Sequence, residues 1–276
     1  AELNILGKEK LKNINLNFNY KDQNLEIIKL NLKYKNIGFI SDKIIVNINN
    51  DLIKIKGDFE NKINLNLLSN FLDYDFKKYF EEKILLSSSS NFDISFNKKF
   101  KIKNYNFSSQ INIEEIKINL KNTNLKNYII DFEDKIILKN PRLTYSIDNQ
   151  NITTINISSE YMFNEKQKAK DISLHYSRSN SIESYKLYID LIENILNFNE
   201  IDFVKKKDEE MFLNLTASKN KNVYEIKNFK MFNDKNIFSL KNIKFGKKFK
   251  IEDFKSIEAK YYNNVGFIND MSIKKI

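Results

Sequence analysis

The sequence predicts a mainly β protein built from antiparallel strands, and three observations support this fold class. First, apolar residues alternate with Asn or Lys in short runs along the 276-residue chain, as Ile14, Leu16 and Phe18 do near its start. Successive side chains of a strand point to opposite faces, so each run forms a strand with one apolar and one polar face. Second, short turns join the runs. Third, no strand–helix–strand alternation appears, which argues against a parallel α/β sheet.

The strands follow from this alternation in chain order, and Asn and Asp take most turn positions because the chain has only 5 Gly and 1 Pro. The doublet Glu114–Glu115 reverses the alternation and predicts a β-bulge, whereas Pro141 predicts a break between two strands. The stretch 192–204 fits either one helical turn or an irregular crossing. The predicted strands are 11–21, 25–36, 43–48, 52–59, 62–68, a run that resumes at 84, 91–96, 99–109, 110–120, 128–138, 142–147, 185–191, 211–217, 222–232, 236–245, 248–261 and 265–275.

One stretch departs from the two-residue spacing. Between residues 69 and 83, the apolar residues Leu72, Phe76, Tyr79 and Phe80 lie three or four positions apart, or adjacent. This spacing places them on one face of an amphipathic helix near 69–83. We expect such a helix to cover an end or an edge of the apolar sheet.

Composition excludes several classes of protein. The net charge is +10, but Arg142 and Arg178 are the only arginines, and this argues against base recognition, which uses Arg for bidentate contacts. A weak attraction to anionic lipid headgroups stays open. The chain has no Cys, hence no disulfide or thiolate metal site. No apolar run is long enough to span a bilayer as a helix. The chain begins at Ala1, and we expect it to be a segment of a longer protein.

No catalytic motif appears in the sequence. His175 is the only histidine, so it has no partner for a metal site, and we interpret it as an ordinary strand residue. Carboxylate pairs such as Glu209–Glu210 are neighbours in a turn and face water rather than opposite sides of a cleft. Gly246 lacks the companion residues of a phosphate-binding loop. We therefore expect no catalysis, no cofactor and no metal ion.

A sheet with one apolar face must cover that face. It can close into a barrel, pack against a second sheet, or bury a ligand. Because the alternation is long and only one helix is predicted, a sheet curled into a hydrophobic groove competes with the sandwich that is the usual solution for an all-β chain. The sequence gives no linker and no compositional shift, so we predict one continuous segment over residues 1–276.

The C-terminal third carries a resemblance to a known family. A strand YKLYIDLIEN is followed by an irregular, lysine-bearing piece, and then by the strands MFLNLTAS, NVYEIKNFKMF and NIFSLKNIKF. This order resembles the AsmA-like family of the YhdP type, in which a lysine-bearing turn precedes the strands that close a repeat. The resemblance is best over 185–276, and LEIIKLNLKYKN and DLIKIKGDFENKINLNL extend it more loosely over 25–86. The family's usual Gly and Pro positions are largely absent here.

The resemblance implies a fold and a function. Proteins of this family are similar to bridge-like lipid-transfer proteins, with an elongated, twisted antiparallel sheet folded into a groove. They are anchored in the inner membrane of Gram-negative bacteria by an N-terminal helix, which would lie outside this segment, and they cross the periplasm. Their groove is thought to carry phospholipid acyl chains toward the outer membrane, with no catalytic residues. The resemblance thus predicts a periplasmic, non-enzymatic lipid carrier of the cell envelope.

Strand parity gives the residues that would contact acyl chains. We expect the groove to be lined by apolar positions of the strands in both parts of the chain that carry the resemblance, and by the run that precedes them. These positions are Ile14, Leu16, Phe18, Leu30, Leu32, Ile53, Ile55, Leu65, Leu187, Ile189, Leu240 and Ile243.

Two other functions stay open at this point. An outer-membrane β-barrel would turn the apolar face outward and would carry aromatic girdles at both strand ends, whereas the aromatic residues here occur throughout the strands. A secreted or surface β-sandwich that binds protein or glycan would be compact. The sequence leaves the lipid species, the direction of transport and the envelope partners undetermined.

Overall fold

The computed structural model confirms a mainly β fold, in which one large antiparallel sheet holds most of the strands. The structure describes residues 3–5, 9–34, 37–49, 51–65, 80, 84–121, 123–246 and 250–275. Consecutive strands pair as antiparallel hairpins through most of these residues. The apolar–polar alternation therefore predicted the fold class correctly, because it is the local signature of strands with two different faces.

Twenty strands are assigned within the described residues. They are β1 (Leu3–Ile5), β2 (Glu9–Lys21), β3 (Asn24–Tyr34), β4 (Ile37–Ile48), β5 (Leu52–Asn64), β6 (Leu85–Asn97), β7 (Ile102–Ile113), β8 (Glu115–Asn119), β9 (Lys135–Ile147), β10 (Thr153–Met162), β11 (Lys170–Ser179), β12 (Ile182–Asp190), β13 (Leu196–Phe198), β14 (Phe203–Lys205), β15 (Phe212–Asn220), β16 (Val223–Phe232), β17 (Ile237–Phe245), β18 (Ile251–Asp253), β19 (Ser256–Tyr262) and β20 (Ile268–Lys274). Short 3-10 helices cover Asn124–Asn127 and Asn199–Ile201. The strands β13 and β14 form a separate two-stranded sheet.

Asn and Asp make the turns, as the scarcity of Gly and Pro predicts. The Oδ1 atom of Asn49, for example, accepts a hydrogen bond from the backbone nitrogen of Leu52 across the β4–β5 turn (3.0 Å). Of the 13 described non-glycine residues with positive φ, 9 are Asn or Asp. Their short polar side chains tolerate the left-handed conformation that such turns require.

Several predicted boundaries were wrong. The predicted strand 52–59 and residues 62–64 of the next belong to one strand, β5, while residues 66–68 lie outside the described residues. Pro141 lies inside β9 instead of breaking it. Pro141 is tolerated because β9 pairs with β7 on one side of this point and with β8 on the other, so that the ladder is interrupted where Glu114 separates those two strands. This interruption is the irregularity that the Glu114–Glu115 doublet predicts.

The amphipathic helix predicted for 69–83 is not seen in the described residues. Residues 69–79 and 81–83 lie outside them. The described residue of this stretch, Phe80, forms an isolated antiparallel bridge with Ile118. The strand predicted for 128–138 begins only at Lys135, because residues 124–127 form a 3-10 helix that leads into an irregular stretch.

The chain divides into two compact units. Unit 1 holds the described residues of 1–78, 83–114 and 142–153, and unit 2 holds those of 79–82, 115–141 and 154–276. The buried core of unit 1 is small and centres on Ile37, Ile63 and Leu86. The buried core of unit 2 is larger and consists of Ile129, Phe132, Leu138, Tyr161, Phe163, Leu191, Leu196, Phe203, Met211, Met231 and Tyr261. The prediction of one continuous segment stays a prediction.

Candidate functional site

The sheet of unit 1 has one strongly apolar face. Directly opposed residues of antiparallel strands share a face, so the pairing register shows which side chains lie side by side. One line of such residues crosses six strands, from β2 to β7, and we call it the unit 1 apolar row. It consists of Tyr20, Leu25, Val46, Ile55, Ile94 and Tyr105. Tyr20 is exposed and the other members are half-buried.

Aromatic rings form a second line on the same face of unit 1. The rings of Phe39 and Phe59 meet edge to face with centroids 5.5 Å apart. Phe59 also lies beside Phe92 (6.1 Å) and Phe107 (6.2 Å), and Phe107 lies beside Tyr145 (5.9 Å). Such contacts fix the ring orientations on the apolar face. Charged groups lie on the opposite face, where Lys54 and Lys56 form ion pairs with Asp93.

The sheet of unit 2 has an equivalent apolar face. A line of opposed residues crosses seven strands from β11 to β20, and we call it the unit 2 apolar row. It consists of Leu174, Leu187, Leu215, Phe229, Leu240, Ile257 and Ile273. Six members are half-buried and Ile273 is 57% exposed. None is fully buried, so the row presents apolar surface that the described residues leave partly accessible.

An irregular segment covers one end of this face. Residues 191–205, which we call the capping segment, contain β13, a 3-10 helix and β14. The ring of Phe203 is 2% exposed and packs against Phe238 (5.0 Å) and Tyr261 (5.8 Å) of the sheet. Ile189 packs against the same cluster. The capping segment therefore buries the apolar side chains at one end of the strands, while the unit 2 apolar row is only partly buried, with Phe229 in contact with the same cluster.

A buried lysine holds the capping segment in place. Lys205 is 1% exposed. Its Nζ atom donates to the backbone oxygens of Ile192 (2.8 Å), Asn194 (2.8 Å) and Lys206 (3.0 Å). Burial lowers the pKa of Lys205 to about 8, although Glu209 and other nearby carboxylates oppose this shift. The three acceptors satisfy the three donors of an ammonium group.

A buried tyrosine secures the same loop from the sheet. The hydroxyl oxygen of Tyr161 lies 2.7 Å from both the backbone oxygen of Asp190 and the Oδ1 atom of Asn194, and its single proton can be donated to either of them. Burial raises the pKa of Tyr161 far above its ordinary value. The hydroxyl therefore stays neutral and serves as a structural anchor of the capping segment.

Ionised groups lie at the opposite end of the unit 2 apolar face. Glu183 is opposite Lys219, with 3.6 Å between the carboxylate and the ammonium group, and it also accepts a hydrogen bond from Tyr185. That hydrogen bond, with help from Lys219 and Arg178, lowers the pKa of Glu183. Burial and Glu183 raise the pKa of Tyr185 to about 12. These charges sit near the β11–β12 turn and do not interrupt the unit 2 apolar row.

The residues predicted from parity fall on these faces. In unit 1, Ile53 and Ile55 of β5, together with Leu30 and Leu32 of β3, are half-buried on the apolar face. In unit 2, Leu187 and Leu240 belong to the unit 2 apolar row. Their contact with lipid stays a prediction.

The other predicted residues have different surroundings. Ile14 and Leu16 of β2 are half-buried, but Phe18 on the same strand is 64% exposed. Leu65 packs against the small core of unit 1. Ile189 packs beneath the capping segment, and Ile243 is 3% exposed, so both contribute mainly to packing.

The polar faces hold no recognisable catalytic arrangement among the described residues. The Nδ1 atom of His175 lies 2.6 Å from the Oδ1 atom of Asn156, and the residue pairs with Lys186 across the sheet. No group of three or more His, Cys, Asp or Glu side chains in the described part of the chain could hold a metal ion. Among the described helices, none is long and apolar enough to cross a membrane.

The sequence left residues 192–204 open between one helical turn and an irregular crossing, and the capping segment is an irregular crossing that includes two short strands. Its apolar residues, such as Leu196 and Phe203, follow neither a two-residue nor a helical period, so periodicity gave no signal. Lys205 gave no separate signal, because it begins the polar run 205–210. Its partners are backbone oxygens, which no sequence pattern reveals.

Comparison with known proteins gives no relative. No protein-family model, no curated protein and no solved structure matches the chain.

Proposed function

We propose that this chain is a non-enzymatic carrier of phospholipid acyl chains, which lie along the apolar faces of its sheet. The observation behind the proposal is the unit 2 apolar row, in which seven neighbouring strands each contribute an apolar side chain and none is fully buried. The unit 1 apolar row repeats the arrangement on six strands. Contiguous apolar surface that the fold leaves partly accessible commonly marks a binding site.

The free energies suit a carrier. Burial of one methylene group is worth about 0.8 kcal/mol, so moving a 16-carbon acyl chain from an apolar environment into water costs a free energy of roughly 13 kcal/mol. An apolar face without a deep pocket can shelter such a chain in many equivalent positions. The chain can then slide between neighbouring positions without leaving an apolar surface.

The cellular setting that we propose comes from the resemblance to AsmA-like proteins of the YhdP type. It is the periplasm of a Gram-negative bacterium, with attachment to the inner membrane through a segment outside this sequence. The proposed route runs between the inner and the outer membrane, along a sheet curled into an elongated groove.

Photocrosslinking at neighbouring strand positions tests the proposal. Adjacent residues of a strand face opposite sides, so Leu187 and Lys186 form a matched pair on β12, as Ile55 and Lys54 do on β5. A photoreactive amino acid at Leu187 or Ile55 should label co-purified or added phospholipid. The same group at Lys186 or Lys54 should not.

Charged substitutions give a second readout. Leu32→Glu or Leu16→Glu places a carboxylate on the apolar face of unit 1 and should block labelling from Ile55, while circular dichroism shows a native β spectrum. Equal labelling from both members of a pair, or no labelling from either, would reject the proposal.

A further inference from the structure

The turn between β6 and β7 carries an unusual exposed aromatic residue. Phe100 is 75% exposed and Ile102, which follows it on the apolar face of unit 1, is 60% exposed. The Oδ1 atom of Asn97 accepts hydrogen bonds from the backbone nitrogens of Lys99 (3.0 Å) and Lys101 (2.9 Å). The Phe100 nitrogen donates to the Asn97 oxygen (2.8 Å). The turn is thus well ordered, yet its largest side chain contacts little of the protein.

The backbone of Phe100 is strained for a bulky residue. Its φ of 54° lies in the left-handed region, which Asn and Gly adopt readily and aromatic residues avoid. It is the only apolar residue among the 13 described non-glycine residues with positive φ. Such strain at an exposed position indicates a function that the fold itself does not require.

Two other turns of the protein show what normally occupies this position. The β9–β10 turn has the same hydrogen bonds, with Asp148 in place of Asn97, and its left-handed residue is Asn151. The β19–β20 turn also closes in the same way, and its left-handed residue is Gly266. Phe100 therefore stands where this chain otherwise uses Asn or Gly.

Lysines flank Phe100 on both sides in the sequence. The segment 97–103, which we call the lysine tip, contains Lys98, Lys99, Lys101 and Lys103 and no acidic residue. All four are exposed, and none makes an ion pair with a residue that the structure describes. The lysine tip thus combines four positive charges with two exposed apolar side chains, Phe100 and Ile102.

We propose that the lysine tip docks onto the surface of an anionic phospholipid bilayer, with Phe100 inserted between the lipids and the lysines at the headgroups. An aromatic ring seated among lysines suits the boundary between headgroups and acyl chains. Nucleic acid would also attract the charges. However, Phe100 and Ile102 are both apolar, no Arg lies in the tip, and Ile102 offers no surface for base stacking, so the bilayer is the better match. This docking is independent of what the apolar rows bind.

Vesicle sedimentation with the whole chain tests both parts of the tip. The vesicles contain either phosphatidylcholine alone or equal parts of phosphatidylcholine and phosphatidylglycerol. Each lysine near an anionic surface contributes about fivefold in affinity, so the triple variant K98Q/K99Q/K101Q should bind the anionic vesicles about 100-fold more weakly. The control K12Q/K33Q/K62Q removes the same charge from exposed strand positions of unit 1 and should bind within about threefold of the unmodified chain.

Phe100→Asn separates insertion from folding. Asn fits the left-handed conformation, so this variant should unfold at a higher temperature while it loses at least about tenfold in vesicle affinity. A purely structural role of Phe100 would give the opposite change in stability. Unchanged vesicle affinity in a folded Phe100→Asn variant would overturn the proposal.

The absence of Trp from the chain allows a direct test of depth. Phe100→Trp introduces a single tryptophan, which can be excited selectively over the 14 tyrosines. Its emission should shift to the blue and be quenched by brominated acyl chains in anionic vesicles. Phe267→Trp is the matched control, since Phe267 is 71% exposed beside a similar turn that holds no lysine.

Three outcomes would contradict bilayer docking. They are a lack of quenching at Phe100→Trp, equal quenching at Phe267→Trp, and tighter binding of a single-stranded oligonucleotide than of anionic vesicles. Loss of acyl-chain labelling at Leu187 with intact vesicle docking would reject only the carrier function. Acyl-chain labelling at Leu187 without vesicle docking would reject only the docking of the lysine tip.

Discussion

At the residue scale, Lys205 shows how one polar side chain can order an apolar segment. Its ammonium group donates to three backbone oxygens, of which that of Asn194 is buried, whereas those of Ile192 and Lys206 also accept from backbone N–H groups. The resemblance pointed to a lysine-bearing turn in this region, but only the structure reveals that Lys205, and not the exposed Lys206, enters the interior. A sequence cannot supply this distinction, because both lysines occupy the same polar run.

Replacement of this lysine should loosen the capping segment. We expect Lys205→Met to lower the free energy of unfolding by about 3 kcal/mol at neutral pH, since three hydrogen bonds from a charged donor are lost and the buried oxygen of Asn194 is left without this donor. Lys206→Met, at an exposed position, should change it by less than about 0.5 kcal/mol. Urea denaturation measures both values, and equal stabilities of the two variants would show that Lys205 does not hold the segment.

The same residue predicts a pH dependence. The pKa of Lys205 is lowered to about 8 in the folded protein, against an ordinary value of 10.5. Between pH 8 and pH 10.5 the unfolded chain binds more protons at this site than the folded protein does. The contribution of Lys205 to stability therefore rises with pH through this window and is constant below it. The stability difference between the unmodified chain and Lys205→Met should therefore widen by at most about 3 kcal/mol from pH 8 to pH 10.5. Tyrosine ionisation affects both proteins equally and cancels, and a constant difference would contradict the shift.

At the element scale, the strands could be predicted well and their exact partners could not. Alternation fixes which side chains of one strand share a face, and Leu187 and Leu240 lie on the apolar side of their strands. Bulges, however, shift the register between strands. One lies between Thr216 and Ala217, and Asn242 has a positive φ within β17. Such local irregularities decide that Ile243 is buried whereas Leu240 is half-exposed.

Glycine in β5 provides a test of packing on the apolar face. Gly57 lies opposite Ile44 and Phe92, and a Cβ atom there would approach the Ile44 Cγ1 atom to 2.9 Å and the Phe92 Cζ atom to 3.1 Å. Gly57→Val should therefore lower the free energy of unfolding by about 2 kcal/mol, because the neighbouring side chains must move.

The control for this substitution is the glycine of β4. A Cβ atom at Gly38 would have no neighbour within 4 Å, and neither glycine has a positive φ. Gly38→Val should raise the free energy of unfolding by about 0.5–1 kcal/mol, since a β-branched residue favours the strand. Thermal unfolding of both variants measures the two changes in stability. Destabilisation of similar size at both positions would mean that the loss of Gly, and not crowding at Phe92, is responsible.

At the scale of the whole molecule, alternation in the sequence predicted that the fold must provide a cover for a large apolar surface. It could not predict how each unit would do so. In unit 2 the capping segment covers the strand ends near Ile189, with Phe203 as its central ring. Farther along the same face, Leu187 and Leu215 are only half-buried. The difference arises from contacts between residues distant in the chain, such as Tyr161 with Asn194, which carry no local pattern.

The unit 2 apolar row predicts how binding depends on acyl-chain length. Neighbouring strands are about 4.8 Å apart, so the six intervals from Leu174 to Ile273 span about 29 Å, which is close to the hydrocarbon thickness of a bilayer and hence to two acyl chains end to end. If half of each methylene is buried on the half-exposed face, every added methylene should tighten binding about twofold. We expect this trend for lysophosphatidylglycerols of increasing chain length, measured below their micelle concentrations by displacement of a fluorescent fatty acid.

Two neighbouring positions of β15 provide the control. Leu215→Asp should flatten the dependence of affinity on chain length, whereas Thr216→Asp on the opposite face should leave it intact. Affinity that depends on the headgroup but not on chain length would show that the apolar row does not hold the acyl chain.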